Sequence, residues 1–216
     1  MAEQLIQGQA IKFRPEGYRL NIHRRYPDDP DIPRSPVYVD LRAPLRSVLP
    51  FRRRCARFMY TVIAKSNVSC HLFSDAPQAV TPLVVHLSEM TGIPMISPRL
   101  EVKDHGLENE IDGFYEAGQS VIVIDDLLTT GDTLRKIIAL YRRNGLGVAA
   151  CFTVIDRSDQ NPNSIDDVPF AAGLLWSDLL EFCRKKRIIT PAVRDGCIQY
   201  PAILRAYLLQ HHPEAV

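Results

Sequence analysis

The chain has 216 residues, of which 46% are hydrophobic and 24% are charged, and its formal net charge at pH 7 is +1. This length suits one α/β domain, and the near-neutral charge argues against a nucleic-acid partner. The five cysteines have no CxxC spacing, so neither a zinc site nor a disulfide framework is expected. The sequence shows no signal peptide and no apolar run long enough to cross a bilayer, which predicts a cytoplasmic protein without membrane contact.

The predicted elements begin after an irregular N-terminal segment. Residues 14–36 are rich in proline and charge and predict no continuous helix or strand. Beyond them, the spacing of apolar residues predicts helices at 49–65, 82–90, 178–186 and 200–210, and strands at 68–74, 94–97, 121–124, 148–155 and 170–176. A further helix follows the third strand, because Leu134, Ile137, Ile138 and Tyr141 share one helical face.

Strands and helices alternate along most of the chain with short connections. This order predicts an α/β fold with an open, mostly parallel sheet flanked by helices. Ligands of such sheets bind beyond the carboxyl ends of the strands. The residues that follow each strand are therefore the first candidates for a binding site.

The segment VIVIDDLLTTGDTL contains a phosphate-binding pattern after the strand at 121–124. Gly131 allows a tight turn and a close approach of the backbone to a ligand. The unpaired N–H groups at the start of the next helix favour a phosphate. Thr129, Thr130 and Thr133 can add hydroxyl donors to the same oxygens. The segment therefore predicts a phosphate site.

Two adjacent carboxylates, Asp125 and Asp126, precede the turn. Side by side, they can accept hydrogen bonds from vicinal ribose hydroxyls, so a sugar phosphate fits the loop 125–133 better than a bare phosphate. The alternative is a simple Asp/Thr helix cap after a strand, which is common in α/β proteins. The segment lacks the GK[ST] of a Walker loop and the GxGxxG of a dinucleotide site.

This segment resembles the motif of the type I phosphoribosyltransferases that binds 5-phosphoribosyl-1-pyrophosphate (PRPP). Within that family the chain is similar to the orotate phosphoribosyltransferases, because four further stretches occur in the expected order: SPVYVDLR (35–42), RLEVKDHG (99–106), VIDR (154–157) and GLLWSDLL (173–180). The resemblance implies the type I phosphoribosyltransferase fold as one compact domain. Residues 1–48 would form an N-terminal hood that binds the base, and residues 49–216 the PRPP-binding core.

The resemblance also implies an activity. Orotate phosphoribosyltransferases transfer the 5-phosphoribosyl group of PRPP to orotate, which yields orotidine 5′-phosphate and pyrophosphate in the synthesis of UMP. The implied cofactor is Mg²⁺, held mainly by substrate oxygens, so no protein side chain is expected as a metal ligand. A homodimer is expected, in which a mobile loop of one subunit closes over the pyrophosphate of its neighbour.

The site residues implied by the resemblance fall into three groups. The PRPP-binding group is Arg99, Lys103, His105, Asp125, Asp126, Leu127, Leu128, Thr129, Thr130, Gly131, Asp132 and Thr133. The catalytic group is Lys103, His105 and Asp126, and the mobile loop carries Arg99, Lys103 and His105. The orotate-binding group is Thr129, Arg157 and Tyr38, where the planar guanidinium of Arg157 suits a carboxylate. Without the resemblance, Arg99 and Lys103 would be read as solvated charges and Arg157 as a partner of Asp156 or Asp159.

Three stretches depart from the family pattern. LNIH (20–23) stands where the family has LKSG, so Asn21 replaces a lysine near the base, and Leu100 replaces a lysine of the mobile loop. The pyrophosphate loop, usually glycine-rich and basic, reads SDAPQAVTP (74–82) and carries Asp75, which we expect to repel pyrophosphate. These departures leave two alternatives, a non-catalytic relative that binds PRPP or a nucleotide, and a phosphoribosyltransferase for another base.

Overall fold

The computed structural model describes residues 1–100, 109–158 and 160–215, and within them the strands form two sheets. The strands are β1 (Ile11–Tyr18), β2 (Ser35–Val39), β3 (Leu72–Asp75), β4 (Met95–Pro98), β5 (Ile111–Asp112), β6 (Ser120–Leu128), β7 (Gly147–Asp156), β8 (Ser164–Ile165) and β9 (Val168–Leu175). The helices are α1 (Ala2–Gln7), α2 (Asn21–Arg25), α3 (Arg42–Ser47), α4 (Leu49–Lys65), α5 (Thr81–Thr91), α6 (Asp132–Arg143), α7 (Trp176–Lys185) and α8 (Pro191–His211), followed by a 3-10 turn at Pro213–Ala215.

The larger sheet has the strand order β5-β4-β3-β6-β7-β9-β8. Its inner strands run parallel, whereas the short strands β5 and β8 pair antiparallel at the two edges. Strands β1 and β2 form a separate antiparallel pair in the N-terminal hood. The α/β fold with a mostly parallel sheet, predicted from the alternation of strands and helices, is confirmed.

The central strand β6 is buried on both faces. Val121 and Val123 pack with α6 on one face, whereas Ile122 and Ile124 belong to the apolar cluster with α4, α5 and α7 on the other. A strand between two helical layers needs apolar side chains on both sides, which explains its four successive β-branched residues. This burial fixes the position of the carboxyl end of β6.

The N-terminal region is more regular than the sequence indicated. Residues 14–36, predicted to be irregular, contain the end of β1, all of α2 and the start of β2. Strands β1 and β2 pair only with each other, and α2 has just 5 residues. None of these elements therefore produces a long periodic pattern of apolar residues. Farther along, the strand predicted at 68–74 begins only at Leu72.

Helix α8 begins at Pro191, well before the predicted start at residue 200, and continues through Pro201. Its first turn is capped by Thr190, whose Oγ1 accepts the N–H of Val193 at 3.3 Å. Pro201 is exposed, so the carbonyl that loses its helical donor can bind water. Despite its 21 residues α8 is not apolar enough to span a membrane, and the same holds for every other helix in the described ranges.

Candidate active site

An open cleft of about 780 Å³ lies at the carboxyl ends of the central strands. Its floor comes from the end of β6 and the start of α6 (residues 125–127, 129 and 133), and one wall from the β3–α5 connection (residues 76, 77 and 79). A second wall comes from the N-terminal hood (residues 19–22, 24, 38–40 and 42), and Leu100 and Leu204 complete the lining. The cleft therefore lies where α/β sheets bind their ligands.

The acid pair Asp125 and Asp126 belongs to strand β6, which continues to Leu128. The prediction of a loop from residue 125 onwards is therefore wrong at its start, because the pairing with β7 continues through Leu128. Only residues 129–131 connect β6 to α6. Ladder hydrogen bonds to β7 thus hold the backbone of the acid pair more rigidly than a loop would.

The environment of Asp125 disfavours its charged form. Asp125 is only 7% exposed, and its Oδ1 accepts the backbone N–H of Asp126 at 2.7 Å. Burial raises the pKa of the Asp125 carboxyl, and the adjacent charge of Asp126 raises it further. Arg42 of the hood partly offsets this, since its Nε lies 4.0 Å from Oδ2 of Asp126. The acid pair therefore favours ligands that bring hydroxyl donors or positive charge.

The turn between β6 and α6 depends on Gly131, whose φ is +85°. Helix α6 begins immediately after it, at Asp132, so the unpaired N–H groups of the first helical turn are available next to the cleft. Thr129 and Thr133 line the cleft, whereas the hydroxyl of Thr130 donates to Oδ2 of Asp132 at 2.7 Å. The turn thus offers both amide and hydroxyl donors to an anion.

The residues predicted to bind PRPP in this segment divide into two sets. The cleft is lined by Asp125, Asp126, Leu127, Thr129 and Thr133. The others, Leu128, Thr130, Gly131 and Asp132, lie beside it and fix the shape of the turn. Arg135 stabilises the turn, because its Nη1 donates to the carbonyl of Thr130 at 2.7 Å and lies 3.2 Å from Oδ1 of Asp132.

Replacing Gly131 with alanine should lower the free energy of unfolding by about 1–2 kcal/mol, the cost of placing an L-residue in the left-handed region. Space is not the obstacle, since the added Cβ would lie 3.4 Å from Nη1 of Arg135. Gly147→Ala is the matched control, because no positive φ is found there and a Cβ would meet nothing closer than 3.9 Å. Urea unfolding of both variants tests this, and equal midpoints would contradict the role of the left-handed turn.

The predicted pyrophosphate loop corresponds to the β3–α5 connection, where Asp75, expected to repel pyrophosphate, points away from the cleft. Asp75 ends β3 and is only 1% exposed. Its carboxylate accepts the hydroxyl of Ser97 at 2.6 Å and that of Thr81. The charge is therefore turned into the protein and bonded there, and Asp75 is absent from the residues described as lining the cleft.

The residues of this connection that do line the cleft are Ala76, Pro77 and Ala79. Between them, Gln78 adopts a φ of +63° without being glycine, and its carbonyl accepts Nη2 of Arg46 at 3.0 Å. The segment thus reaches a conformation that glycine usually provides. It contributes small apolar side chains and backbone groups to the cleft, but no cation.

The predicted mobile loop begins at the edge of the described structure. Arg99 is exposed after β4, and its Nε donates to Oδ1 of Asp112 on β5 at 2.8 Å. Its neighbour Leu100 lines the cleft. Lys103 and His105, the predicted catalytic residues of this loop, lie outside the described residues.

The residues predicted to bind the base lie on two sides of the site. Tyr38 lines the cleft from the hood, with its ring centroid 5.6 Å from that of Tyr18. Arg157 directly follows β7, where its N–H donates to the carbonyl of Leu128 at 2.8 Å and its guanidinium lies 4.6 Å from the ring centroid of Trp176. Arg157 therefore shares the sheet edge with the acid pair, although the described lining of the cleft does not include it.

Three arginines line the cleft that the sequence analysis did not identify, Arg19, Arg24 and Arg42. Arg42 ends the SPVYVDLR stretch, so the resemblance contained a signal for it. Arg19 and Arg24 lie in a segment predicted to be irregular, and nothing local in the sequence indicates that α2 reaches the cleft. Together they provide the positive charge that a polyanionic ligand requires.

Comparison with known proteins gives a consistent result. Residues 75–170 match the family described as phosphoribosyl transferase domain. An orotate phosphoribosyltransferase of Staphylococcus haemolyticus is 31% identical over 158 residues, which cover 71% of this chain and 77% of that protein. An orotate phosphoribosyltransferase of Caenorhabditis elegans is 28% identical over 170 residues, 78% of this chain and 74% of that protein. The solved UMP synthase of Leishmania donovani is similar over 97% of this chain, with a TM-score of 0.72 and 26% identity, and the chain spans 41% of that longer protein.

The similarity therefore extends over the hood as well as the core. The chain belongs to the type I phosphoribosyltransferase family and, within it, to the orotate phosphoribosyltransferases.

Proposed function

We propose that this chain transfers the 5-phosphoribosyl group of PRPP to orotate, releasing pyrophosphate and forming orotidine 5′-phosphate for UMP synthesis. The observation that carries this proposal is the acid pair at the floor of the cleft, in which Asp125 is buried, adjacent to the glycine turn and the start of α6. This arrangement matches a ribose that bears both vicinal hydroxyls and a 5-phosphate. A bare phosphate would leave the carboxylates without hydroxyl donors.

The ribose phosphate would lie along the floor of the cleft. The first N–H groups of α6 and the hydroxyls of Thr129 and Thr133 bind the 5-phosphate. Asp125 and Asp126 accept hydrogen bonds from the ribose hydroxyls, and these bonds favour the charged form of Asp125 against the effect of burial. Binding of the sugar thus stabilises the Asp125 carboxylate, which is costly to keep charged in the free protein.

The reaction exchanges one bond of the anomeric carbon for another. The bond from N1 of orotate to that carbon forms while the bond to the pyrophosphate oxygen breaks, the oxygen keeps the electron pair, and the N1 proton is released. Positive charge develops on the ribose in between, close to Asp125 and Asp126, whose carboxylates stabilise it. Arg42, beside Asp126, is placed to bind the negative charge that leaves with pyrophosphate.

Mg²⁺ is the cofactor in this proposal. In the described ranges no group of three or more His, Cys, Asp or Glu residues is placed to hold a metal ion. The acid pair nevertheless provides hard oxygen donors, which suit an ion that keeps its waters and binds through substrate oxygens. Asp125 and Asp126 would hold it through the ribose hydroxyls, and when bound it would neutralise pyrophosphate charge.

The proposal also includes a homodimer in the cytoplasm. Arg99, Lys103 and His105 would approach pyrophosphate in the neighbouring subunit, where Lys103 and His105 would neutralise its charge or donate a proton. Arg99 follows β4 next to Leu100, which lines the cleft, so the loop begins at the cleft rim. Arg157 would bind the orotate carboxylate, with Tyr38 and Thr129 beside the base.

The test is an assay of the purified chain with PRPP, Mg²⁺ and orotate, in which loss of orotate and release of pyrophosphate are followed together. We expect the orotate lost and the pyrophosphate released to be equal in amount, and neither to be observed when PRPP is omitted. PRPP-dependent thermal stabilisation without pyrophosphate release would instead identify a non-catalytic binder. Turnover with another base but not with orotate would assign a different substrate. Light scattering of the same preparation gives the mass, and the mass of one chain would exclude the dimer.

A further inference from the structure

Helix α2 forms part of the cleft wall although it has only 5 residues. Residues 19–22 and 24 line the cleft, in and on either side of the segment LNIH (20–23), where the family has LKSG. An isolated helix of this length is not stable in water, so tertiary contacts must set its position. The contacts that hold α2 therefore set the position of its side chains in the cleft.

The residues that directly follow α2 are held by contacts with the C-terminal end of the chain. Asp29 accepts the hydroxyl of Tyr207 at 2.9 Å, and Nε2 of His212 lies 2.7 Å from its Oδ2. Tyr26 donates its hydroxyl to Glu214 at 2.7 Å and stacks on His212, with ring centroids 3.9 Å apart. We call these five residues the C-terminal clasp.

One face of α8 connects the clasp to the cleft. Tyr200, Leu204, Tyr207 and His211 have the spacing of residues on a single helical face. The hydroxyl of Tyr200 donates to the carbonyl of Pro33 at 3.3 Å, and Leu204 lines the cleft. The same helix therefore contacts the hood segment at two points and contributes to the cleft between them.

The centre of the clasp is shielded from solvent. The side chains of Asp29 and His212 are each 18% exposed. The hydrogen bond from His212 lowers the pKa of Asp29, and the bond from Tyr207 acts in the same direction. Asp29 is thus a charged acceptor, and bonds to charged acceptors are shorter and stronger than those between neutral groups.

We propose that the C-terminal clasp positions α2 so that Arg24 and Arg19 bind an anionic group of the substrates, either a phosphate of PRPP or the carboxylate of orotate. The inference rests on the proposed function. Both arginines line the cleft beside Asn21, which stands where the family has a lysine. The clasp residues are not among the described residues that line the cleft, so they are positioning residues that act through α2.

The first test removes the charge at the centre of the clasp with Asp29→Asn. We expect the KM of the substrate that α2 contacts to rise about tenfold, the effect of losing one hydrogen bond to a charged group, while kcat stays within about twofold. Tyr207→Phe removes a single hydroxyl and should raise the same KM less. Measuring KM for PRPP and for orotate separately shows which of the two substrates Arg24 and Arg19 bind. Tyr60→Phe, on the exposed face of α4, is the matched control and should change neither KM.

The second test asks whether the clasp acts through Arg24. If it does, Asp29→Asn should have little effect on KM in a chain that already carries Arg24→Ala, because the group being positioned is gone. Arg53→Ala removes an exposed charge of α4 that is not among the described residues lining the cleft, and it should leave the effect of Asp29→Asn unchanged. Arg19→Ala is combined with Asp29→Asn in the same way, and additive effects of Asp29→Asn with both Arg24→Ala and Arg19→Ala would overturn the inference.

Thermal unfolding of each variant separates positioning from loss of the fold. If Asp29→Asn does not fold, Tyr207→Phe decides, and an unchanged KM in the folded variant overturns the inference. If the wild-type chain shows no turnover with orotate, the proposed function fails independently. The variants are then compared by the PRPP concentration that gives half-maximal thermal stabilisation. Absence of any PRPP-dependent stabilisation would overturn both proposals.

Discussion

Replacing Asp125 with asparagine should strongly reduce turnover and at the same time stabilise the free protein at alkaline pH. The carboxylate is buried beside Asp126, and both features raise its pKa above the ordinary value of 3.8. Asparagine has nearly the same shape, and its Oδ1 can still accept the N–H of Asp126, but it carries no charge. The variant therefore loses the charged acceptor for ribose hydroxyls together with the cost of burying a charge.

The gain in stability at this position should depend on pH. A carboxyl whose pKa is raised on folding binds its proton more tightly in the folded state, so wild-type stability falls as pH rises. Below about pH 4 the carboxyl is protonated in both states, and asparagine should offer no advantage. The advantage of Asp125→Asn grows as pH rises through the folded pKa, and it should reach about 1–3 kcal/mol, the cost of an uncompensated buried polar group.

Calorimetric unfolding at about pH 5 and about pH 8 measures this difference, and a gain of this size raises Tm by several degrees in a chain of this length. The kcat should fall by at least about 100-fold, as when one group that stabilises transition-state charge is removed. Asp178→Asn, an exposed carboxylate in the first turn of α7, is the control and should change both quantities little. A lower Tm than wild type at alkaline pH, or turnover within tenfold of it, would contradict the role of Asp125.

Replacing Arg157 with alanine should reduce kcat/KM for orotate by about 10–150-fold, the value of hydrogen bonds to a charged group. The guanidinium lies over Trp176 at the end of β7, on the sheet edge that carries the acid pair. In this position it can present a planar pair of N–H donors to a carboxylate while its flat face remains stacked. The substitution should therefore reduce kcat/KM for orotate and leave that for PRPP nearly unchanged.

The carboxylate itself provides the control for Arg157→Ala. Uracil lacks the carboxylate of orotate, so we expect its kcat/KM to be lower in wild type and to change little in the variant, and the preference for orotate over uracil should shrink. Arg157→Lys should not restore that preference, because an ammonium cannot form the planar bidentate contact. An equal loss for both bases would show that Arg157 supports the fold and not base recognition.

Some features of this protein follow from local sequence chemistry. The strand at 121–124 was predictable because a strand buried on both faces needs successive β-branched residues, and α6 because its apolar residues repeat with the helical period. The turn at Gly131 was predictable because few other residues adopt its conformation. Less of the N-terminal hood was predictable, since α2 has only 5 residues, β1 and β2 pair with each other, and β2 packs against α8.

The sequence by itself determined the main alternation of strands and helices beyond residue 48, the turn at Gly131 and the acid pair, because each depends on neighbours within a few residues. Only the tertiary structure decided that Asp75 turns inward to Ser97, that β6 continues beneath the acid pair, and that α2 brings Arg24 to the cleft. Those outcomes depend on contacts between distant segments, such as Asp29 with Tyr207, and the free energy of such contacts leaves no periodic pattern in the sequence.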